Sequence, residues 1–311
     1  MPPKNVRVWL GRRAAHHRQL GPLLQQKISA LTLLRYRKAC TWFLMWLSYQ
    51  CSDIHTEAHL DFIVQDYIEE LWNCNAGLDS AQCTVAGLLH FLRHSVRLTG
   101  AWRLLNTWNR AEPPARAPPI PVLVIHAMAM QALLDGDAYM SISLLLFFHA
   151  FIRTGELLAL RTSHMFVDHE GNIVLALGRS KSGKRRGEDE FGIVDSGPVA
   201  LVIAAFLRQH PWDQLLIGRE PHRWRRDFDT LLQRIGVAYL QFRRYSLRRG
   251  GATQAFMQGM SLTVACERGR WTQEKTARMY IKEAAALLNA LALPPQLRVT
   301  LSTLASHWGF P

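Results

Sequence analysis

The chain has 311 residues, with 37 Lys+Arg against 24 Asp+Glu and a formal charge of +13. A hydrophobic fraction of 49% with 20% charged residues excludes a disordered or low-complexity protein. The length exceeds the ~250–300 residues at which single cores stop growing, so two domains are expected.

Residues 1–50 hold nine Lys/Arg and no acid, the first being Asp53, so the entry to the chain suits a polyanionic partner. A basic N-terminal arm is expected over 1–24. Helices are expected over 25–49, 56–71, 79–96 and 101–110, forming a small bundle across 25–110. Leu31, Leu34, Trp42, Met45 and Trp46 are the candidates for burial in the first of these. Residues 111–121 carry five of the 14 prolines and read as a semi-rigid linker.

Beyond the linker, 121–134 and 139–160 read as helices. The period then changes, and 165–168, 173–177 and 191–194 read as a three-stranded meander. Helices resume at 198–208, 223–235, 246–259, 261–268 and 272–289. The fold class is mainly α with a small antiparallel sheet (α+β). The leucine-rich tail over 287–311 reads either as an assembly helix or as packing on its own domain.

Five cysteines with no CxxC pair argue against a disulfide framework or a cysteine-based zinc site, and fit a reducing compartment. The longest apolar run, 199–207, is too short to span a bilayer, so no membrane partner is expected. No secretory signal is visible, and the acid-free start runs straight into a patterned helix instead of a transit peptide.

Gly178-Arg-Ser-Lys-Ser-Gly183-Lys184-Arg185 nearly spells a phosphate-binding P-loop. Arg185 stands where magnesium needs Ser or Thr, and the flanks are strands, so a nucleotide triphosphatase is rejected. The hairpin tip still gathers Arg179, Lys181, Lys184, Arg185 and Arg186, a group suited to a phosphate backbone. His55 and His59 share a helix face at i, i+4, but Thr56 replaces the glutamate of a zinc-protease pattern. They read as a surface pair, and no metal site is expected.

The last third is the most informative. Tyr245-Ser-Leu-Arg-Arg-Gly-Gly-Ala-Thr253 puts Ser246 at an expected N-cap and Arg248 in the first helical turn, where anions are favoured. Glu267-Arg-Gly-Arg-Trp271 leads through Thr272, a second expected N-cap, to Tyr280 about two turns on. Upstream, Ala150-Phe-Ile-Arg153-Thr-Gly-Glu156-Leu157 carries an arginine at a glycine-marked irregularity.

These segments together resemble the tyrosine recombinase (phage-type integrase) catalytic domain. The family pattern is an arginine in a T-G-x-R/R-x-x-E-L box, a hairpin lysine, a His-x-x-Arg box, then His or Trp, and a tyrosine nine or so residues later. Here those positions read Arg153, Lys181, Tyr245-x-x-Arg248, Trp271 and Tyr280. The spacings are 23 residues from Arg248 to Trp271 and nine from Trp271 to Tyr280. The resemblance spans about 25–285 and implies a core-binding domain at 25–110 and a catalytic domain at 122–286.

It also implies a DNA breaking and rejoining activity with Tyr280 as nucleophile. Arg153, Arg248 and Trp271 would stabilise phosphate, and Lys181 would act as general acid, with Lys184 as the alternative. No cofactor is implied, because the phosphotyrosyl ester conserves the bond energy. The partners implied are duplex DNA and further copies of the chain assembled on it, in whichever compartment holds DNA. Lys27, Arg35, Arg37, Lys38, Arg179, Lys184, Arg185, Arg186, Arg243, Arg244 and Arg249 are the expected DNA contacts. One position departs from the pattern: Tyr245 replaces the box histidine, and a phenol near pKa ~10 is a poor base at neutral pH. Two other outcomes stay open, a domesticated non-catalytic DNA-binding protein and a topoisomerase-like activity.

Overall fold

The computed structural model describes residues 28–50, 53–92, 96–113, 115–178, 189–210, 212–218 and 220–308. The chain divides into two compact units, Met1–Ala115 and Arg116–Pro311.

The first unit holds four helices, α1 (Ala30–Tyr49), α2 (Glu57–Asn73), α3 (Leu78–Phe91) and α4 (Thr99–Ala111). Thr56 caps α2, its hydroxyl accepting from the His59 N–H at 3.1 Å. Asp61 on α2 caps α4, accepting from the Gly100 and Ala101 N–H groups at 2.7 and 2.9 Å. Helix α1 packs on α3 through Ala39, Cys40 and Phe43. A Cβ at Gly87 would lie 2.7 Å from the Cys40 sulfur, so that glycine sets how closely the helices approach.

This corrects the expected buried face of α1. Leu31 is 70% exposed, and Leu34, Trp42 and Met45 are also exposed, while Trp46 packs partly against the core. Helix α1 carries apolar side chains on nearly every face, so periodicity could not choose among them. The close approach at Gly87, where Cys40 and Tyr36 lie nearest, turns the face that carries Ala39, Cys40 and Phe43 inward.

The second unit begins with α5 (Val122–Leu134) and α6 (Ala138–His149), then α7 (Thr154–Ala159). Every residue from Met140 to Phe148 of α6 is buried, as a helix apolar all round requires. The helix expected over 139–160 is therefore two. Phe151 between them takes φ +48°, a left-handed conformation that ends α6 and turns the chain.

The antiparallel sheet has the order β1 (Met165–Val167), β2 (Ile173–Gly178), β3 (Glu190–Val194). Met165 pairs with Leu175, Ile173 with Val194, and an irregularity falls between Ala176 and Gly178. Strand β3 alternates, with Phe191 and Ile193 outward and Glu190, Gly192 and Val194 inward. The same alternation that buries Val194 carries the carboxylate of Glu190 inside, where it is 4% exposed.

Helices α8 (Gly197–Gln209) and α9 (Pro221–Arg234) follow, then α10 (Arg244–Met257), α11 (Leu262–Gly269), α12 (Glu274–Tyr280), α13 (Glu283–Leu291) and α14 (Pro295–Ser306). The helix expected over 272–289 is thus broken at Ile281 and Lys282. The expected tail boundary at 287 falls inside α13. Helix α14 packs on α5, with Leu293 and Leu301 buried in the same core. Trp308 donates its indole N–H to the His126 carbonyl at 3.2 Å. The tail is built into the second unit. Among the described residues no helix is long and apolar enough to cross a membrane.

Candidate active site

Helix α10 positions the first arginine by pressing against α6. A Cβ at Gly251 would lie 1.9 Å from the Phe148 carbonyl oxygen, and one at Gly250 would lie 2.2 Å from that of Ile120. Two consecutive glycines therefore let the backbone sink until Arg248 is 1% exposed. Its guanidinium donates to the carbonyls of Phe151 and Gly269. The Nε has no partner. Burial, reinforced by the like charges of Arg270 and Arg153, pushes its pKa down to about 9. It remains a cation at neutral pH, which leaves a buried positive charge suited to an anion.

Arg153 sits just before α7 with an extended backbone. Its N–H donates to Glu156 Oε2 at 2.7 Å, and its NH1 donates to Glu156 Oε1 at 2.5 Å and Glu190 Oε2 at 2.9 Å. Its NH2 donates to the Arg270 carbonyl at 3.1 Å. The R-x-x-E spacing thus has a local cause. Three residues into the helix, Glu156 returns to the N–H and the guanidinium of the residue that starts it.

Helix α12 ends on Tyr280. Its ring lies 4.8 Å from the Trp271 ring, and Arg248 stands 4.9 Å from Trp271 and 5.5 Å from Tyr280. Such cation–π contacts hold guanidinium and rings in one layer. Phe151, Ala252, Cys266, Trp271 and Ala277 form the apolar cluster beneath. The end of α12 is tied to α10: Arg249 donates to the Met279 carbonyl at 2.8 Å, and the Lys282 N–H donates to the Thr253 hydroxyl at 3.1 Å. The structure therefore brings together Arg153, Arg248, Trp271, Tyr280 and Tyr245.

Tyr245 is 49% exposed, its ring 6.3 Å from that of Tyr280. Partial burial raises its pKa, Tyr280 raises it further, and Arg248 opposes both. The phenol is protonated at neutral pH.

Local caps differ from expectation. Ser246 is not the N-cap of α10 but lies one turn in, its hydroxyl accepting from the Arg243 N–H at 2.9 Å. Arg248 is accordingly one turn deeper than expected. The N-cap of α12 is Gln273 instead of Thr272.

Among the expected DNA contacts, Arg35, Arg37 and Lys38 are exposed on α1, with Arg35 paired to Asp79. Arg243 is exposed, and Arg244 is half-buried with its pKa lowered by burial and by Arg225. Arg249 departs from the surface role expected of it, since it is buried and holds α12. Lys27, Arg179, Lys181, Lys184, Arg185 and Arg186 lie outside the described residues. His55 and His59 stack with centroids 5.6 Å apart, and His59 Nδ1 accepts from the His55 N–H at 3.5 Å. Among the described residues no three His, Cys, Asp or Glu side chains cluster to hold a metal.

Three residues of the site were missed. Glu190 was set just outside its strand, and one more residue of alternation would have buried it. Thr253 ends the Arg-Arg-Gly-Gly string without a signal of its own. Arg270 carries φ +54°, which no sequence pattern announces.

No family model matches the chain, and no curated protein matches it. Solved structures do. The Tn1549 transposon integrase in complex with transposon right-end DNA aligns with TM-score 0.61 at 9% identity, over 90% of this chain and 98% of that one. The XerH site-specific recombinase in a post-cleavage complex aligns with TM-score 0.55 at 12% identity, over 90% and 79%. A lambda integrase dimer bound to a core site aligns with TM-score 0.53 at 15% identity, over 84% and 74%. The chain has the tyrosine recombinase fold, as the resemblance of its motifs implied.

Proposed function

We propose that the protein is a recombinase or integrase that breaks and rejoins duplex DNA through a 3′-phosphotyrosyl intermediate. The observation that carries this reading is the placing of Tyr280 against Arg248 and Trp271, beside Arg153. One potential nucleophile thus faces a buried, carboxylate-poor cation. In the reaction the Tyr280 oxygen bonds to the scissile phosphorus as the bond from phosphorus to the 5′ oxygen breaks. The phenol proton leaves to water, and Lys181 protonates the departing 5′ oxygen. Charge gathers on the non-bridging oxygens, where Arg153 and Arg248 supply forked donors and Trp271 an indole N–H. A 5′-hydroxyl then attacks the phosphotyrosine, reseals the strand and returns the tyrosine.

Arg35, Arg37, Lys38 and Arg243 would contact backbone phosphates, with affinity falling steeply as salt rises. Exchange between two duplexes would bring several copies together on DNA.

The test is incubation with a pool of nicked duplexes of varied sequence, capture of protein–DNA adducts under denaturing conditions, and sequencing of the captured strands. An adduct at a defined site that Tyr280→Phe abolishes supports the reading. Tight DNA binding without any adduct would leave a non-catalytic DNA-binding protein. A two-duplex joining assay then separates recombination from supercoil relaxation.

A further inference from the structure

Arg270 stands one residue before Trp271, buried to 5% exposure in a left-handed backbone of φ +54°. Its NH2 donates to Glu156 Oε2 at 2.8 Å and to the Phe151 carbonyl at 3.0 Å. Its NH1 donates to the carbonyls of Arg268 at 3.0 Å, Phe191 at 3.2 Å and Ala150 at 3.5 Å. Its Nε approaches Glu190 Oε2 at 3.7 Å, and its own carbonyl accepts from Arg153 at 3.1 Å. Arg270 therefore touches both carboxylates that pair with Arg153, and it shares with Arg248 the carbonyl of Phe151.

We infer that Arg270 is a positioning residue for the phosphate chemistry, fixing Arg153 through Glu156 and Arg248 through the Phe151 carbonyl. The inference rests on the proposed function. Two physical effects support it. The first is charge. Arg153, Arg248 and Arg270 face Glu156 and Glu190, so the layer carries one surplus positive charge, and without Arg270 it would carry none. Arg153 would then face both carboxylates alone, a group of net negative charge with little attraction for a phosphate. The second is geometry. Arg153 holds Glu156 through its guanidinium on Oε1 and its N–H on Oε2, and Arg270 adds a second donor on Oε2 that ties this local cap to the segment carrying Trp271. The left-handed turn at 270 makes both possible, since it aims the side chain back under α7 while its carbonyl faces Arg153.

The experiment compares the full-length wild type with Arg270→Met and Arg270→Lys on the nicked duplex that the wild type cleaves. It measures the rate of adduct formation at saturating DNA, the DNA concentration giving half that rate, and the melting temperature. Misplacing catalytic groups by about an ångström costs on the order of 100-fold, so R270M should lose about that much in the saturating rate. Half-saturation should move by less than about threefold, because Arg270 is buried at 5% exposure. R270K restores the charge but not the fork, and should recover about tenfold of the loss.

A saturating rate for R270M within about threefold of wild type would overturn the inference, as would a loss carried by half-saturation instead. So would a loss that R270K does not relieve and that follows the melting temperature. If the wild type itself forms no adduct, the proposed function falls and this inference with it. An active wild type with an equally active R270M removes the role of Arg270 alone.

Discussion

Tyr245 and Tyr280 lie with their rings 6.3 Å apart and tilted by 31°, so the proposed nucleophile has a second phenol beside it. Partial burial and Tyr280 hold the pKa of Tyr245 above the ordinary tyrosine value. It can exchange hydrogen bonds but cannot take a proton at neutral pH. Tyr245→His supplies an imidazole at that place and should raise the single-turnover cleavage rate by about 10- to 100-fold. Tyr245→Phe should leave it within about threefold, since the phenol does no proton transfer. Both are read as adduct formed against time. A histidine variant no faster than wild type would mean the proton leaves by another route.

Arg248 is proposed to hold phosphate, and its buried charge is expected to add little to stability. Its Nε is unpartnered, and its hydrogen bonds go to two carbonyls, neither of them a carboxylate. Buried charges without full compensation are often replaced by apolar groups with little loss. Arg248→Met should change unfolding free energy by less than about 1 kcal/mol while lowering cleavage by about 1,000-fold or more. Urea unfolding and the adduct assay on the same preparation check both halves.

The Gly250-Gly251 pair makes a steric prediction. At Gly251 an added Cβ meets the Phe148 carbonyl at 1.9 Å, while at Gly155 it meets nothing within 4 Å. Gly251→Ala must push α10 off α6 and should cost about 3 kcal/mol. Its melting temperature should fall by roughly 6–12 °C for a unit of this size. Gly155→Ala should be neutral or stabilising by up to about 1 kcal/mol. Melting curves of the two variants provide the comparison.

Acid sensitivity should arise away from the site. His126 on α5 and His149 on α6 face each other with Nε2 atoms 3.4 Å apart. Burial lowers their pKa values to about 4 and about 3, and His126 adds to the shift of His149. Both are neutral when folded, whereas the unfolded chain takes up protons below about pH 6.5. Stability is therefore complete above that value and falls as pH drops toward 4 and 3. Between pH 7 and pH 5 the loss should be on the order of 1–2 kcal/mol per histidine. Denaturant titrations at the two pH values should show this slope in wild type and a flatter one in the His126→Gln/His149→Gln double variant.

The sequence revealed the elements whose cause is local. Repeated apolar positions marked the helices, alternation marked β2 and β3, and the spacing of Arg153, Arg248, Trp271 and Tyr280 marked the pocket. What stayed hidden depends on partners distant in the chain. Leu31 and Phe43 look alike in a helical pattern, yet of the two only Phe43 is buried, its ring against Tyr67. Arg249 and Arg248 are neighbours in a basic string, but one ties down the Met279 carbonyl and the other lies beneath the rings. Nothing singles out Arg270 in the sequence, because a left-handed turn and four distant hydrogen-bond acceptors are invisible in a string of letters. The breaks at Phe151 and Ile281 were missed for the same reason, since neither carries the glycine or proline that usually marks a stop.

Phe151 and Arg270 hold their backbones where glycine is usually found, at φ +48° and +54°. Each such residue raises the free energy of the chain by about 1 kcal/mol or more. Glycine would relieve either turn, but at 151 it would remove a ring from the cluster that holds Trp271, and at 270 the guanidinium that grips Glu156. Backbone ease and the packing of the site thus pull these two positions in opposite directions. A lineage that drifted toward the easier backbone would keep its helices and its sheet. It would lose the packing that sets Trp271 and Tyr280 against Arg248 and the grip on Glu156 beside Arg153.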